Sequence, residues 1–151
     1  SMLAPTHCET APHPGVNWSR CDKSQHLLVR ANLHRADLSH ANLDRARLDQ
    51  ATLISADLTR ATLIHTNLTG ADLGDAKLGH ANLSHADLFN ANLTGADLSN
   101  ANLYRARLFN DNLDNANLKG STVAGAFCSN GTIWPDGSSA MVRSAHSPQA
   151  R

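Results

Sequence analysis

Three cysteines, nine histidines and thirteen acidic residues are the side chains of this chain that could carry chemistry. Cys8 and Cys21 flank a segment containing Pro12 and Pro14. A disulfide between them would staple an N-terminal segment that has little core of its own. The other reading is two free thiols in a reducing compartment. A bridge would mark the protein as exported, to a bacterial periplasm or beyond; without it the chain is cytoplasmic. The three cysteines lie too far apart in sequence to read as a zinc site. No nucleophile motif, phosphate-binding glycine loop or metal-ligand cluster is present. The expectation is therefore a protein that is not an enzyme and takes no cofactor.

Most of the remaining polar residues recur at a fixed spacing, so the element that places them comes next. From Ala31 the chain repeats every five residues as Ala-(Asp/Asn)-Leu-X-X, as in Ala31-Asn32-Leu33-His34-Arg35 and Ala36-Asp37-Leu38-Ser39-His40. Leucine holds the third place in eighteen successive units, from Leu33 to Leu118, and Val123 and Cys128 continue it. Alanine holds the first place in 17 of the 20 units ending at Asn130, with Thr66, Asp111 and Ser121 as exceptions. An α-helix would turn each successive leucine by about 140° and leave no apolar stripe. Asp and Asn in the second place also compete with helical hydrogen bonding. A coiled coil is excluded because the period is not seven.

Composition agrees with a repeat. Aromatic residues are 4 % of the chain while 41 % is apolar, mostly Ala and Leu, so many small side chains must be buried at regular intervals. Lysine plus arginine equals aspartate plus glutamate, 13 each, which removes any global argument for nucleic acid or an anionic membrane as partner. No apolar run reaches membrane-spanning length, and no signal peptide is visible. Ser1-Met2 reads as an expression remnant.

These units resemble the pentapeptide-repeat family. The resemblance implies an all-β fold, a right-handed quadrilateral β-helix in which four pentapeptides make one square coil. Leu and the small residue before it point inward; Asp/Asn and the two X residues point outward. Twenty units make about five coils. The domain reading is an N-terminal cap at 1–25, the β-helix at 26–130, and a C-terminal cap and loose tail at 131–151. Val16, Trp18 and the Cys21 region belong to the first cap. Trp134-Pro135-Asp136-Gly137 reads as a closing turn, with Ile133 in register for a last inward position. Cys128, in a Leu place, is a buried and inert thiol.

In such a coil, residues 20 apart share a column. His40, Arg60 and His80 form one corner column, and Arg45, His65, His85 and Arg105 the next. Together they make a basic, histidine-bearing ribbon beside the third face. It is either an anion- or partner-binding face, more charged below about pH 6.5, or a row of solvated corners. His65 and His85 could share a metal, but two imidazoles without a carboxylate or thiolate make a poor site. Asp37, Asp57, Lys77 and Asp97 line the second face; with no cleft to raise a pKa, they read as a solvated strip. On the fourth face, Phe89 and Phe109 stack one coil apart beside Arg47 and Arg107, and Phe127 continues the patch. Clustered exposed aromatics mark an interface, or the docking place of the tail from Ser138.

The function expected is a non-catalytic interaction scaffold that presents flat faces to a protein partner or a second copy. The alternative is a DNA mimic that binds DNA gyrase or another nucleic-acid-binding protein, as the family's quinolone-resistance members do. Those members look strongly acidic, carry Phe at many central places and dimerise through an aromatic C-terminal element. This chain has Leu centres, balanced charge, and no aromatic residue after Ser138.

Overall fold

One unit shows why the five-residue period closes into a coil. In Ala36–His40 every backbone amide has a defined acceptor. The Ala36 amide donates to the Leu33 carbonyl at 3.0 Å, closing a four-residue turn. The Asp37 amide donates to Val16 in the coil before, and the Leu38 and His40 amides donate to Asp57 and Thr59 in the coil after. The Ser39 amide, which has no backbone partner, donates to the Asp37 carboxylate at 3.1 Å. A buried backbone group left unpaired would cost as much as a lost hydrogen bond. The Asp/Asn of the second place is therefore structural: its side chain takes the one amide the ladder leaves over. Asn92 and Asn102 do the same for Thr94 and Tyr104.

The fifth residue of each unit turns the corner. Eighteen non-glycine residues there have φ between 54° and 61°. This is the left-handed region that the third residue of a type II turn requires. Each costs roughly 1–2 kcal/mol relative to ordinary backbone, a strain held by ladder bonds on both sides. Where an Asp or Asn at the corner folds over the next coil, glycine follows twenty residues later. A Cβ on Gly95 would lie 2.3 Å from Asp75 Oδ1, and one on Gly120 2.3 Å from Asn100 Oδ1.

The computed structural model describes residues 6–136 and the backbone of 149–150. Parallel bridges link each second-place residue to the one 20 positions on, from Asn17↔Asp37 to Arg107↔Phe127. Six rungs stand on each face, with a seventh on the fourth face where Phe127 pairs with Gln149, and six rungs of the right-handed β-helix span roughly 24 Å at the usual inter-strand spacing. The axis is filled by the third-place leucines; all from Leu33 to Leu113 are 0–1 % exposed. The first-place alanines pack between them.

Both ends depart from the consensus reading. The ladder starts at Asn17, inside the segment assigned to the cap. Trp18 and Lys23 stand in Leu places, Val16 and Cys21 in Ala places, and all four are buried. They fill the inward places of the first two units of a coil that keeps Asn17 and Asp22 in its second places, so the fold has one coil more than the consensus count. The 3₁₀ turn Thr6–Glu9 closes this end. Cys8 and Cys21 are joined by a disulfide. The Lys23 ammonium donates to the Cys8 carbonyl and lies 4.2 Å over the Trp18 ring. The indole N–H of Trp18 donates to Thr10 at 2.9 Å.

At the other end the register slips by one. Asn112 pairs with Ile133, 21 residues on rather than 20. Ile133 therefore points outward and is 41 % exposed, while Trp134 fills the inward place at 3 %. Thr132 takes the Ala place, its hydroxyl donating to the Leu108 carbonyl at 2.7 Å, as Thr66 does to Leu43. The extra residue sits at the Ser129–Thr132 turn, where the Asn110 amide meets the Ser129 hydroxyl at 3.0 Å instead of a carbonyl. Strand β1 (Phe127–Cys128) pairs in parallel with β2 (Gln149–Ala150). The tail at 138–148, and with it Gly137, lies outside the described residues.

Candidate functional site

The fourth face is built from the second and fourth places of six successive coils. The second places carry Leu27, Arg47, Asn67, Asp87, Arg107 and Phe127, and the fourth places Val29, Asp49, Thr69, Phe89, Phe109 and Ser129. Phe89 is 36 % exposed, and Phe109 and Phe127 are half-buried. The ring stack lies one coil later than expected from spacing: Phe109 pairs with Phe127, centroids 6.3 Å apart and 25° between planes. The cause is geometric. Phe127 sits in the second place and Phe109 in the fourth, so their rings meet diagonally.

Two guanidinium groups cover this pair. Arg107 lies 5.4 Å over the Phe109 ring, and Arg105, at the corner, 5.6 Å over Phe127. Arg107 also reaches Asp87 at 3.3 Å. Arg47 is remote from the rings and forms a two-pronged pair with Asp49, at 3.0 and 2.8 Å. Its hydrogen bond holds the Asp49 carboxyl below the usual carboxylate range. Arg47 thus belongs to a self-contained ion pair, and the aromatic surface is Phe89, Phe109 and Phe127 with Arg105 and Arg107.

The ribbon residues occupy the two corners beside the third face. His40, Arg60 and His80, then Arg45, His65, His85 and Arg105, all have positive φ. His65 and His85 stack with centroids 4.8 Å apart and 18° between planes, and Tyr104 meets His85 edge-on at 5.6 Å. Imidazole lone pairs lie in the ring plane, so near-parallel stacked rings direct them side by side rather than onto one ion. That geometry counts against the shared-metal reading of the pair. Between the corners Asp44 accepts the Ile64 amide at 2.9 Å, so an acidic side chain stands within the ribbon.

Among the described residues no cavity opens on any face. Cys128 is buried, and burial pushes its thiol pKa up. Asp111, in an Ala place, is a buried carboxylic acid. One of its carboxyl oxygens accepts the Ala91 amide at 2.9 Å; the other has no partner. Burial pushes its pKa well above the usual range, and the nearby Asp87 adds to this.

The profile of the pentapeptide-repeat family matches in eight copies over residues 31–70 and 66–105. The chain belongs to the pentapeptide-repeat family. No curated protein matches it. Among solved structures, Rfr23, a pentapeptide repeat protein of the cyanobacterium Cyanothece 51142, is 46 % identical over 65 % of this chain and 63 % of its own, with a TM-score of 0.57. One from the Arabidopsis thaliana thylakoid lumen is 38 % identical over 53 % of this chain and 59 % of its own, with a TM-score of 0.46. A third, from Nostoc PCC 7120, is 30 % identical over 76 % of this chain and 84 % of its own, with a TM-score of 0.39. The chain spans under two thirds of the length of the first two. Pentapeptide-repeat proteins are in general structural or interaction proteins. Among the described residues no helix is long and apolar enough to cross a membrane.

Consensus reading of this pentapeptide-repeat chain missed two residues of the fourth face. Leu27 is 81 % exposed and Val29 49 %. In the run Leu27-Leu28-Val29 only Leu28 can take the inward place. Counting back twenty residues from Arg47 and Asp49 would have placed the other two outside.

Proposed function

We propose that this pentapeptide-repeat protein is a non-catalytic scaffold that presents its fourth face to a protein partner. The observation that carries the reading is Phe89, Phe109 and Phe127 on three neighbouring rungs of one flat face, two of the rings lying under arginines. Aromatic and arginine side chains are the ones enriched at interface cores. Burying one such ring contributes on the order of 1.5–3 kcal/mol. A flat β face also meets a partner without rearranging. The absence of a cleft among the described residues supports a surface that binds rather than one that reacts. The acidic column of the second face supports no DNA-like surface, because Lys77 interrupts Asp57 and Asp97 and the adjoining corner carries His40, Arg60 and His80.

The test is retention of a partner, or of a second copy, by immobilised protein. Phe89→Ser with Phe109→Ser should abolish retention, while Tyr104→Ser on the third face should leave it intact. Equal retention by both variants would refute the assignment to the fourth face.

A further inference from the structure

The N-terminal cap brings Cys21 to the adjacent residues His7 and Cys8. A ring nitrogen of His7 and the sulfurs of Cys8 and Cys21 lie within 4.8 Å of one another. Cys8 and Cys21 are buried and His7 is half-buried. We infer that, when the Cys8–Cys21 bond is reduced, His7, Cys8 and Cys21 form a binding site for one thiophilic cation of the zinc type.

Three features of the cap support such a site. Two thiolates and one imidazole are the ligand types zinc takes, at about 2.3 Å for sulfur and about 2.0–2.1 Å for nitrogen. Reduction leaves both sulfurs on the same side of the cap, where they can move apart to the spacing that two ligands of one ion require. The imidazole is already oriented: Ser19 C=O lies 3.0 Å from His7 Nε2 and can only accept, so Nε2 carries the hydrogen and Nδ1 keeps its lone pair. Metal-bound histidines are held in just this way, the second nitrogen donating to a carbonyl. Three protein ligands leave a fourth position open to water or an external thiol.

The chemistry balances with a dithiol as reductant. The dithiol gives two electrons and two protons to the disulfide and becomes a disulfide itself, leaving two protein thiols. Binding of the divalent cation then releases those two protons. A small-molecule disulfide reverses the sequence: it takes two electrons from the thiolates and two protons from solvent, becomes a dithiol, and the ion is expelled, so bridge and metal are mutually exclusive closures of the same cap.

The full chain should be reduced under anaerobic conditions in the presence of Co²⁺, a coloured stand-in for zinc, and then titrated with Zn²⁺. The expected result is one Co²⁺ per reduced chain, with sulfur-to-metal charge-transfer absorption that Zn²⁺ abolishes, and no binding by the oxidised chain. His7→Ala leaves the disulfide of the oxidised protein untouched, and should weaken metal binding of the reduced form about tenfold or more. A reduced chain that keeps its β-type circular dichroism only when Zn²⁺ is present would also support the site. Absence of the charge-transfer band, or equal affinity in His7→Ala, or loss of the β spectrum despite Zn²⁺, would overturn it.

Discussion

Replacing Asp111 by alanine should make the protein more stable at neutral pH. Asp111 stands in a place that alanine fills in 17 of 20 units. Its carboxyl is buried with one oxygen unpartnered. A buried acceptor without a partner costs about 1–3 kcal/mol. The Ala91 amide it receives is not orphaned by the change, because that amide also donates to the Leu88 carbonyl at 2.9 Å. The second part of the effect depends on pH. Burial raises the folded-state pKa above the usual 3.8, so the folded chain holds this proton more tightly than the unfolded chain. Below about pH 3.8 the group therefore costs nothing in linkage. As pH rises from there, stability falls by about 1.4 kcal/mol per unit until the folded-state pKa is passed. Asp22, Asp49 and Asp97 shift downward, so their contribution is complete above the usual carboxylate range and is lost only on acidification. The window above about pH 4 thus isolates Asp111 among the shifted carboxyls. Urea denaturation between pH 4 and 8 should show the wild type losing stability with rising pH. Asp111→Ala should be flatter, about 1–3 kcal/mol more stable near pH 4, with the gap widening toward pH 7. An alanine variant less stable than the wild type, with an unchanged pH slope, would refute the reasoning.

Four further outcomes follow from the same geometry. Leu73→Ala, at 0 % exposure on the axis, should cost about 2–5 kcal/mol in denaturant titration. Gly79→Ser should stay within about 0.5 kcal/mol, because an added Cβ meets nothing closer than Ser99 Oγ at 3.7 Å. Gly95→Ala, at φ +69° and against Asp75 Oδ1, should cost at least about 1–2 kcal/mol. Thiol titration of the unfolded, unreduced chain should find one free thiol, that of Cys128, since Cys8 and Cys21 are joined; three would contradict the bridge.

Much of the fold was legible because leucine and alanine sit in fixed places, and a five-residue period is incompatible with any helical stripe. The ends were less so, for a physical reason. An inward place needs volume and low exposure, not leucine as such. Trp18 meets that need by burying its ring and sending its N–H to Thr10, and Lys23 by sending its ammonium to the Cys8 carbonyl. Neither looks like the repeat. The slip near Ser129 was hidden because Ile133 and Trp134 are both apolar neighbours, and counting by fives selects the wrong one. On the fourth face, Phe89, Phe109 and Arg107 could be placed by column. The diagonal pairing of Phe109 with Phe127, the part played by Arg105 and the retreat of Arg47 into its pair with Asp49 depend on side-chain direction, which columns do not carry.

We propose that this scaffold meets its partner through the fourth face. The most direct test is site-specific photocrosslinking in a lysate of the native host, with a photoreactive phenylalanine in place of Phe109 on the fourth face or of Ser99 on the second. One discrete adduct, to a partner or a second copy, is expected from position 109 and none from position 99. Adducts of equal yield from both positions, or an adduct from position 99 alone, would contradict it.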